Sequence, residues 1–295
     1  MEDQPYYSRR LATEELDVWI RLRQTDIPED DYDAAQTYIH LDGSMFFISY
    51  LGDEEAGAST IFRDTARMGL LLSSIRIPEK SRLRLTKHIV KTSLPFFKSV
   101  AIREVDAFVN PAYDMKSIPF PFCTDLGAWT EEALIENGFK EIALFQRATY
   151  AIPDKIEIPS TLKWDSPSAE TETLKQLFWK VSPNERPDHG CFWLSVILAQ
   201  KASSHYSVSV DNEPQLSIGT QTWNNTFLIT SLLSDPSEVS SQDVALRIIS
   251  LAKQRGLSSV TLNMMPSDSQ VLNAMSSLCG DAIDVSELKL YRKAL

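Results

Sequence analysis

Leu70, Leu71, Leu72, Ile75 and Ile77 make an almost unbroken apolar run that stops at Pro78, and beyond Ser81 the spacing changes: Leu85, Ile89, Val90 and Leu94 recur at helical intervals. The first pattern predicts a buried strand, closed by a proline that has no N–H for a further ladder bond. The second predicts a helix, with Lys98 near its end, where a cation suits the negative end of the dipole. A strand, a short turn and a helix start predict an anion site, because first-turn N–H groups are unpaired and carry the positive end of the dipole. Upstream, Met45 to Tyr50 and Ala58 to Phe62 alternate as two strands around the acidic turn Gly52 to Gly57. Downstream, Glu104 to Asn110 reads as a strand, so the intervening helix predicts a parallel pair joined by a right-handed crossover.

The flanks follow the same logic. Residues from Tyr7 predict a short strand and then a helix capped by Thr13, with Glu14, Glu15 and Asp17 in its first turn. Asp26, Glu29, Asp30, Asp31 and Asp33 crowd around Pro28, as a solvated loop entering a helix or as a rim that steers a cationic acceptor. A proline-rich insertion between Pro111 and Trp129, with Phe120 and Phe122, reads as a surface loop or as a wall on a binding cleft. A helix then ends at Gly138 in the C′ position, and a strand runs from Ile142 to Ile152.

After a linker from Pro153 to Thr161 the pattern returns. Leu174, Leu177, Phe178 and Val181 give a helical face. HYSVSV and LSIGTQTW pair around the turn Asp211 to Pro214, FLITSLL runs into Asp235 and Pro236, and a helix ending at Gly256 leads to a strand near Val260. Pro236 answers Pro78 and Val260 answers Val105, which predicts a tandem duplication with domains at residues 1–155 and 156–295. Asp188, His189 and Cys191 lie together in the intervening loop, as exposed loop residues or as a nucleophilic pair, with Phe192 and Trp193 as apolar anchors.

A formal net charge of −11 argues against nucleic acid as a partner, since that interaction rests on neutralising phosphates with Lys and Arg, and favours a cationic or small neutral one. The first ten residues are polar, and no run reaches the length of a membrane span, so a cytoplasmic protein without membrane attachment is expected. Cys123, Cys191 and Cys279 are odd in number and far apart, predicting reduced thiols with neither a disulfide framework nor a metal site.

The stretch 70–90 resembles motif A of the GNAT superfamily of acyl-CoA N-acyltransferases, with Pro78-Glu79 ending the strand and His88-Ile89-Val90 at the Ala-Leu-Leu positions of its helix. The stretch 130–150 resembles motif B, with Gly138-Phe139 matching its end. The resemblance implies an α/β (α+β) fold of two GNAT-like domains, each a mixed twisted sheet flanked by helices and packed against its copy. It implies acetyl-CoA, or another acyl-CoA, as co-substrate. Backbone groups of Ile75, Arg76 and Ile77 would pair with the pantetheine arm, and a loop of Arg82, Leu83, Arg84, Leu85 and Thr86 would receive the pyrophosphate. In the second copy Ser240, Ser241 and Ala245 would serve, with Asp243 opposing a phosphate. The implied activity is N-acetyl transfer to a small-molecule amine or peptide acceptor by direct attack on the thioester, with Asp106 the nearest base. The family's glycines fall on Arg82, Arg84 and Thr86, and its thiolate-protonating tyrosine falls on Leu134 and near Met275. Those departures support the alternative, a non-catalytic scaffold that has lost the cofactor.

Overall fold

The computed structural model describes residues 6–16, 18, 44–64, 69–77, 82–99, 102–111, 126–159, 162, 164, 171–181, 205–211, 213–223 and 225–295. The acidic rim at 26–33, nearly all of the proline-rich insertion, and the loop with Asp188, His189 and Cys191 lie outside them.

In the first unit, β1 (Tyr6–Arg10), β2 (Ser44–Leu51), β3 (Glu54–Asp64) and β4 (Gly69–Arg76) form an antiparallel meander. Helix α1 (Arg82–Ser99) then crosses to β5 (Glu104–Asn110), which pairs with β4 in parallel. All eight residues of β4 are buried, as expected of a strand covered on both faces, which is why it reads as a continuous apolar run. Gly57 permits the meander to close: a Cβ there would sit 2.9 Å from the Arg76 carbonyl oxygen. The first-turn cap near Thr13 differs from expectation. Ala12 holds the N-cap position, and its N–H donates to Glu15 Oε2 at 3.0 Å.

Beyond β5 come a two-residue strand β6 (Leu126–Gly127), a short helix α2 (Glu131–Glu136) and β7 (Lys140–Ala151). Leu134 is fully buried in the core between α1, α2 and the sheet, together with Leu85, Ile89, Val109 and Leu126.

The second unit repeats the order. After α3 (Thr171–Val181), strands β8 (His205–Val210), β9 (Glu213–Trp223) and β10 (Thr226–Ser234) form an antiparallel meander. Helix α4 (Ser241–Gln254) crosses to β11 (Ser259–Pro266), parallel to β10, and α5 (Gln270–Cys279) and β12 (Asp284–Ala294) complete the chain. Met275 is fully buried in this core.

Both glycine stops are C′ residues, with φ of 84° at Gly138 and 71° at Gly256. In each, the residue after the glycine donates five positions back, Phe139 to Leu134 O and Leu257 to Ala252 O, both at 3.0 Å. That double reverse turn satisfies the last helical carbonyls and buries the following apolar residue.

Each unit is completed by a strand from the other half of the sequence. Among the described residues the first unit comprises those up to Ala143 with Leu288–Leu295, and the second those from Leu144 to Glu287. Lys289 to Ala294 of β12 pair antiparallel with Val109 to Glu104 of β5, and Phe145 to Ala151 of β7 pair antiparallel with β11.

Candidate functional site

Each unit contains a place where two parallel strands part. In the first unit β4 and β5 pair from Gly69↔Glu104 to Leu72↔Ala107 and no further. In the second, β10 and β11 pair from Thr226↔Ser259 to Ile229↔Leu262. The cause is the same in both. Ser73 is an extra residue in the β3–β4 register and Thr230 an extra residue in the β9–β10 register, and such a bulge bends its strand away from the neighbour. Parted strands leave backbone groups facing an opening, and the next helix begins at its mouth.

The first opening is filled. Val109 of β5 pairs with Lys289 of β12 on one edge and with Leu126 of β6 on the other, so β6 lies along the edge that β4 has left. Leu126 is fully buried there. Arg82, the first residue of α1, places its guanidinium 4.9 Å from the centre of the Trp129 ring, in the turn before α2. Residues 82–86, expected as a loop, are the first turns of α1. Leu85 is fully buried, and the Thr86 hydroxyl donates to the Arg82 carbonyl at 2.6 Å. Ile75, Arg76 and Ile77 are likewise buried, and the side chains of Leu83 and Arg84 are outside the described set.

The second opening holds a cavity of about 360 Å³. It is bounded by Leu232–Ser234 of β10, Ser241 at the head of α4, Met265 at the end of β11 and Ser269–Val271 at the head of α5. Of the residues expected here, Ser241 lines the cavity and Ser240 is the N-cap, its hydroxyl accepting from the Asp243 N–H at 3.1 Å. Ala245 is fully buried in the core one turn later, so it faces the sheet.

The turn between β10 and α4 is held by Asp235, which is 4% exposed. Its carboxylate accepts from the Ser237 N–H at 3.0 Å and hydroxyl at 2.6 Å, and meets Lys180 Nζ of α3 at 2.8 Å. Hydrogen bonds from Lys180 and Ser237 hold its pKa below the usual carboxylate range.

Asp106, expected as the nearest base, is committed elsewhere. Arg292 of β12 donates to its two oxygens at 2.6 and 2.8 Å, so the carboxylate is charge-paired and only 7% exposed. A paired carboxylate is a poor proton acceptor, because the partner stabilises its charged form. The positions that the resemblance gives to the family's tyrosine hold Leu134 and Met275, both apolar core residues. Among the described residues no cluster of His, Cys, Asp and Glu is arranged to hold a metal, and no helix is long and apolar enough to cross a membrane.

By sequence the chain matches no protein-family model and no curated protein. By structure it resembles solved acetyltransferases along nearly its whole length. A GCN5-related N-acetyltransferase from Sphaerobacter thermophilus aligns over 98% of this chain and 95% of its own at 12% identity, with a TM-score of 0.56. A GCN5-related N-acetyltransferase from Kribbella flavida aligns over 99% of this chain and 72% of its own, at 11% identity and a TM-score of 0.55. A fungal GCN5-related glucosamine N-acetyltransferase region, within a multi-domain β-N-acetylglucosaminidase, covers 98% of this chain, at 10% identity and a TM-score of 0.67, and this chain covers 38% of that one. The split parallel strands, the crossover helix beginning at their mouth and the extent of these alignments agree: the chain has a GNAT-superfamily fold.

Proposed function

We propose that this protein is an acyl-CoA-dependent N-acyltransferase whose co-substrate occupies the second unit, between β10 and β11. The observation that carries this reading is the contrast between the two openings. One is filled by β6 and closed at its mouth by Arg82 and Trp129, and the other holds the 360 Å³ cavity.

The residues of the second opening suit an acyl-CoA. Past Ile229 the backbone of β10 no longer pairs with β11, which leaves amide and carbonyl groups for a pantetheine arm. The first-turn amides of Ser241 and Gln242 head a fourteen-residue helix whose positive end favours phosphate. Asp243, in that same turn, opposes it and limits the affinity. Bound there, an acyl-CoA supplies the acyl group as a thioester: the acceptor's nitrogen gains the acyl carbon, and sulfur leaves with the bonding pair and ends with the proton that nitrogen gives up. With neither a free carboxylate nor a phenol at the family's positions, the chain's own part is to place the reactants and exclude water.

The first unit supports a non-catalytic reading of that half alone. Its opening is occupied by the protein's own chain, at β6.

Calorimetric titration of acetyl-CoA into the intact protein tests the proposal. Binding near one equivalent is expected, abolished by Gln270→Trp at the rim of the cavity and retained in Arg82→Met. No binding to the wild type, or binding unaffected by Gln270→Trp, would overturn it. The whole chain is needed, because a cut near Pro153 separates β5 from its partner β12.

A further inference from the structure

Asn137 and Gly138, at the C-terminal end of α2, are the one Asn-Gly pair in the sequence. An asparagine side-chain amide can be attacked by the nitrogen of the following residue, and glycine, with no Cβ, leaves that nitrogen unshielded. Gly138 is exposed and Asn137 half-buried, so water reaches both. The other glycines that end helices, Gly256 and Gly280, follow Arg255 and Cys279, whose side chains cannot react in this way.

The folded chain holds the pair away from reaction. Ring closure needs Asn137 Cβ to eclipse the Gly138 nitrogen about the Cα–C bond. At a ψ of 12° the backbone nitrogen of Asn137 takes that place, and Cβ is turned well away. The Gly138 N–H donates to the Ile135 carbonyl at 2.9 Å, and Asn137 Nδ2 donates to the Ala133 carbonyl at 2.7 Å, so both reacting groups are bonded back to α2.

Six residues make too short a helix to keep such a conformation by itself. Strand β12 holds it at both ends. Lys289, Tyr291 and Lys293 alternate along the strand and so share one face. Lys289 Nζ and the Tyr291 hydroxyl reach the Glu131 carboxylate, in the first turn of α2, at 3.2 and 3.1 Å. Lys293 Nζ donates to the Asn137 carbonyl oxygen and lies 3.0 Å from where a Cβ on Gly138 would stand. A cation there also suits the negative end of the helix. The ammonium makes the Gly138 N–H more acidic, which favours attack, but the nitrogen cannot reach Cγ until the peptide turns, and the same bond holds the peptide. The constraint therefore outweighs the activation.

We propose that Asn137 is a site of spontaneous deamidation whose rate is set by the docking of β12 on α2. The Gly138 nitrogen forms a bond to Asn137 Cγ and gives up its proton, and Nδ2 leaves as ammonia with that proton. Water then opens the cyclic imide at either carbonyl, to aspartate or isoaspartate. Isoaspartate carries an extra carbon in the main chain, so Gly138 leaves the C′ position and the bond from the Phe139 N–H to the Leu134 carbonyl is lost. Phe139, 2% exposed, is then drawn from the core, which makes the step a one-way loosening of the first unit. None of these groups lines the cavity of the second unit, so the outcome does not depend on acyl-CoA binding there.

The test follows conversion at Asn137 by peptide mass spectrometry, with isoaspartate distinguished by its fragment ions, in the full chain held in mildly alkaline buffer. Native wild type should convert at least tenfold more slowly than the same protein unfolded in guanidinium chloride. Lys293→Met, which keeps most of the stem, should convert at least fivefold faster than native wild type, and at the same rate when both are unfolded. Tyr291→Phe, which loses only the bond to Glu131, should be at least twofold faster and keeps the test decisive if Lys293→Met does not fold. Lys87→Met removes an exposed pair between α1 and Glu132 and Glu136 of α2, and should stay within twofold of wild type. Equal rates in native and unfolded wild type, no conversion even when unfolded, an unchanged or lower rate in Lys293→Met or Tyr291→Phe, or an equal gain in Lys87→Met would overturn the proposal.

Discussion

The guanidinium of Arg82 lies over the indole ring of Trp129, 4.9 Å from its centre, and so ties the first residue of α1 to the turn that precedes α2. An arginine standing where the resemblance places a phosphate-binding glycine is here an internal structural contact. Arg82→Met, which keeps most of the stem, should cost about 0.5–1 kcal/mol by urea denaturation, the usual range for a partly exposed cation–π pair. Acetyl-CoA affinity should not change. A tenfold loss of affinity would place the cofactor in the first unit after all.

Charge at the head of α4 should act in opposite directions on folding and on binding. Ser241→Asp adds a carboxylate to the first turn, where it favours the helix by about 0.3–1 kcal/mol. It also faces the cavity, so acetyl-CoA binding should weaken tenfold or more. Asp243→Asn should strengthen binding several-fold. Paired melting curves and titrations check both signs.

Asp235 should make the turn before α4 sensitive to acid. Its folded-state pKa lies below the ordinary value of 3.8 because Lys180 and Ser237 stabilise the charged form. The contribution is therefore fully present above that value and is lost as pH falls through the lower, folded one. Asp235→Asn should remove this acid limb and weaken acetyl-CoA binding several-fold at neutral pH. An unaltered acid limb in the variant would refute the assignment.

His205 sets a second and separate window. Burial pushes its imidazole down to about 4, so the folded protein holds it neutral while the unfolded chain takes a proton near 6.5. Stability should fall as pH drops from about 6.5 to about 4 and then level off for this group, by up to about 3 kcal/mol in all. His205→Phe should flatten that interval, as read from urea midpoints at a series of pH values.

Removing Leu288–Leu295 should unfold the first unit in preference to the second. It strips the antiparallel partner from β5 and leaves the carboxylate of Asp106 without Arg292, and breaking a buried ion pair on one side costs about 3–5 kcal/mol. Hydrogen exchange should rise in β4 and β5 while protection persists in β8 to β10. Equal loss in both units would count against this division.

Much of the fold can be read from local chemistry. The apolar run of β4, the alternation in β2 and β3, and the helical spacing after Ser81 each reflect the burial of nearby residues. Gly138 and Gly256 mark helix ends because the left-handed conformation there is set by backbone sterics alone. Nothing in the reading of the sequence singled out β12 or its place beside β5, since alternation reveals a strand but not its partner. Asp106 looked like a base for the same reason: its partner Arg292 lies 186 residues away.

The sequence by itself determined most strands and helices of the two meanders, the helix ends at Gly138 and Gly256, and the resemblance the two halves share. Only the tertiary structure decided where β6 and β12 pair and where a cavity is left beside β10. Those outcomes depend on contacts between distant segments, such as Leu126 with Val109 and Arg82 with Trp129. Secondary structure follows largely from neighbours along the chain, whereas a cavity exists only where distant segments leave space unfilled.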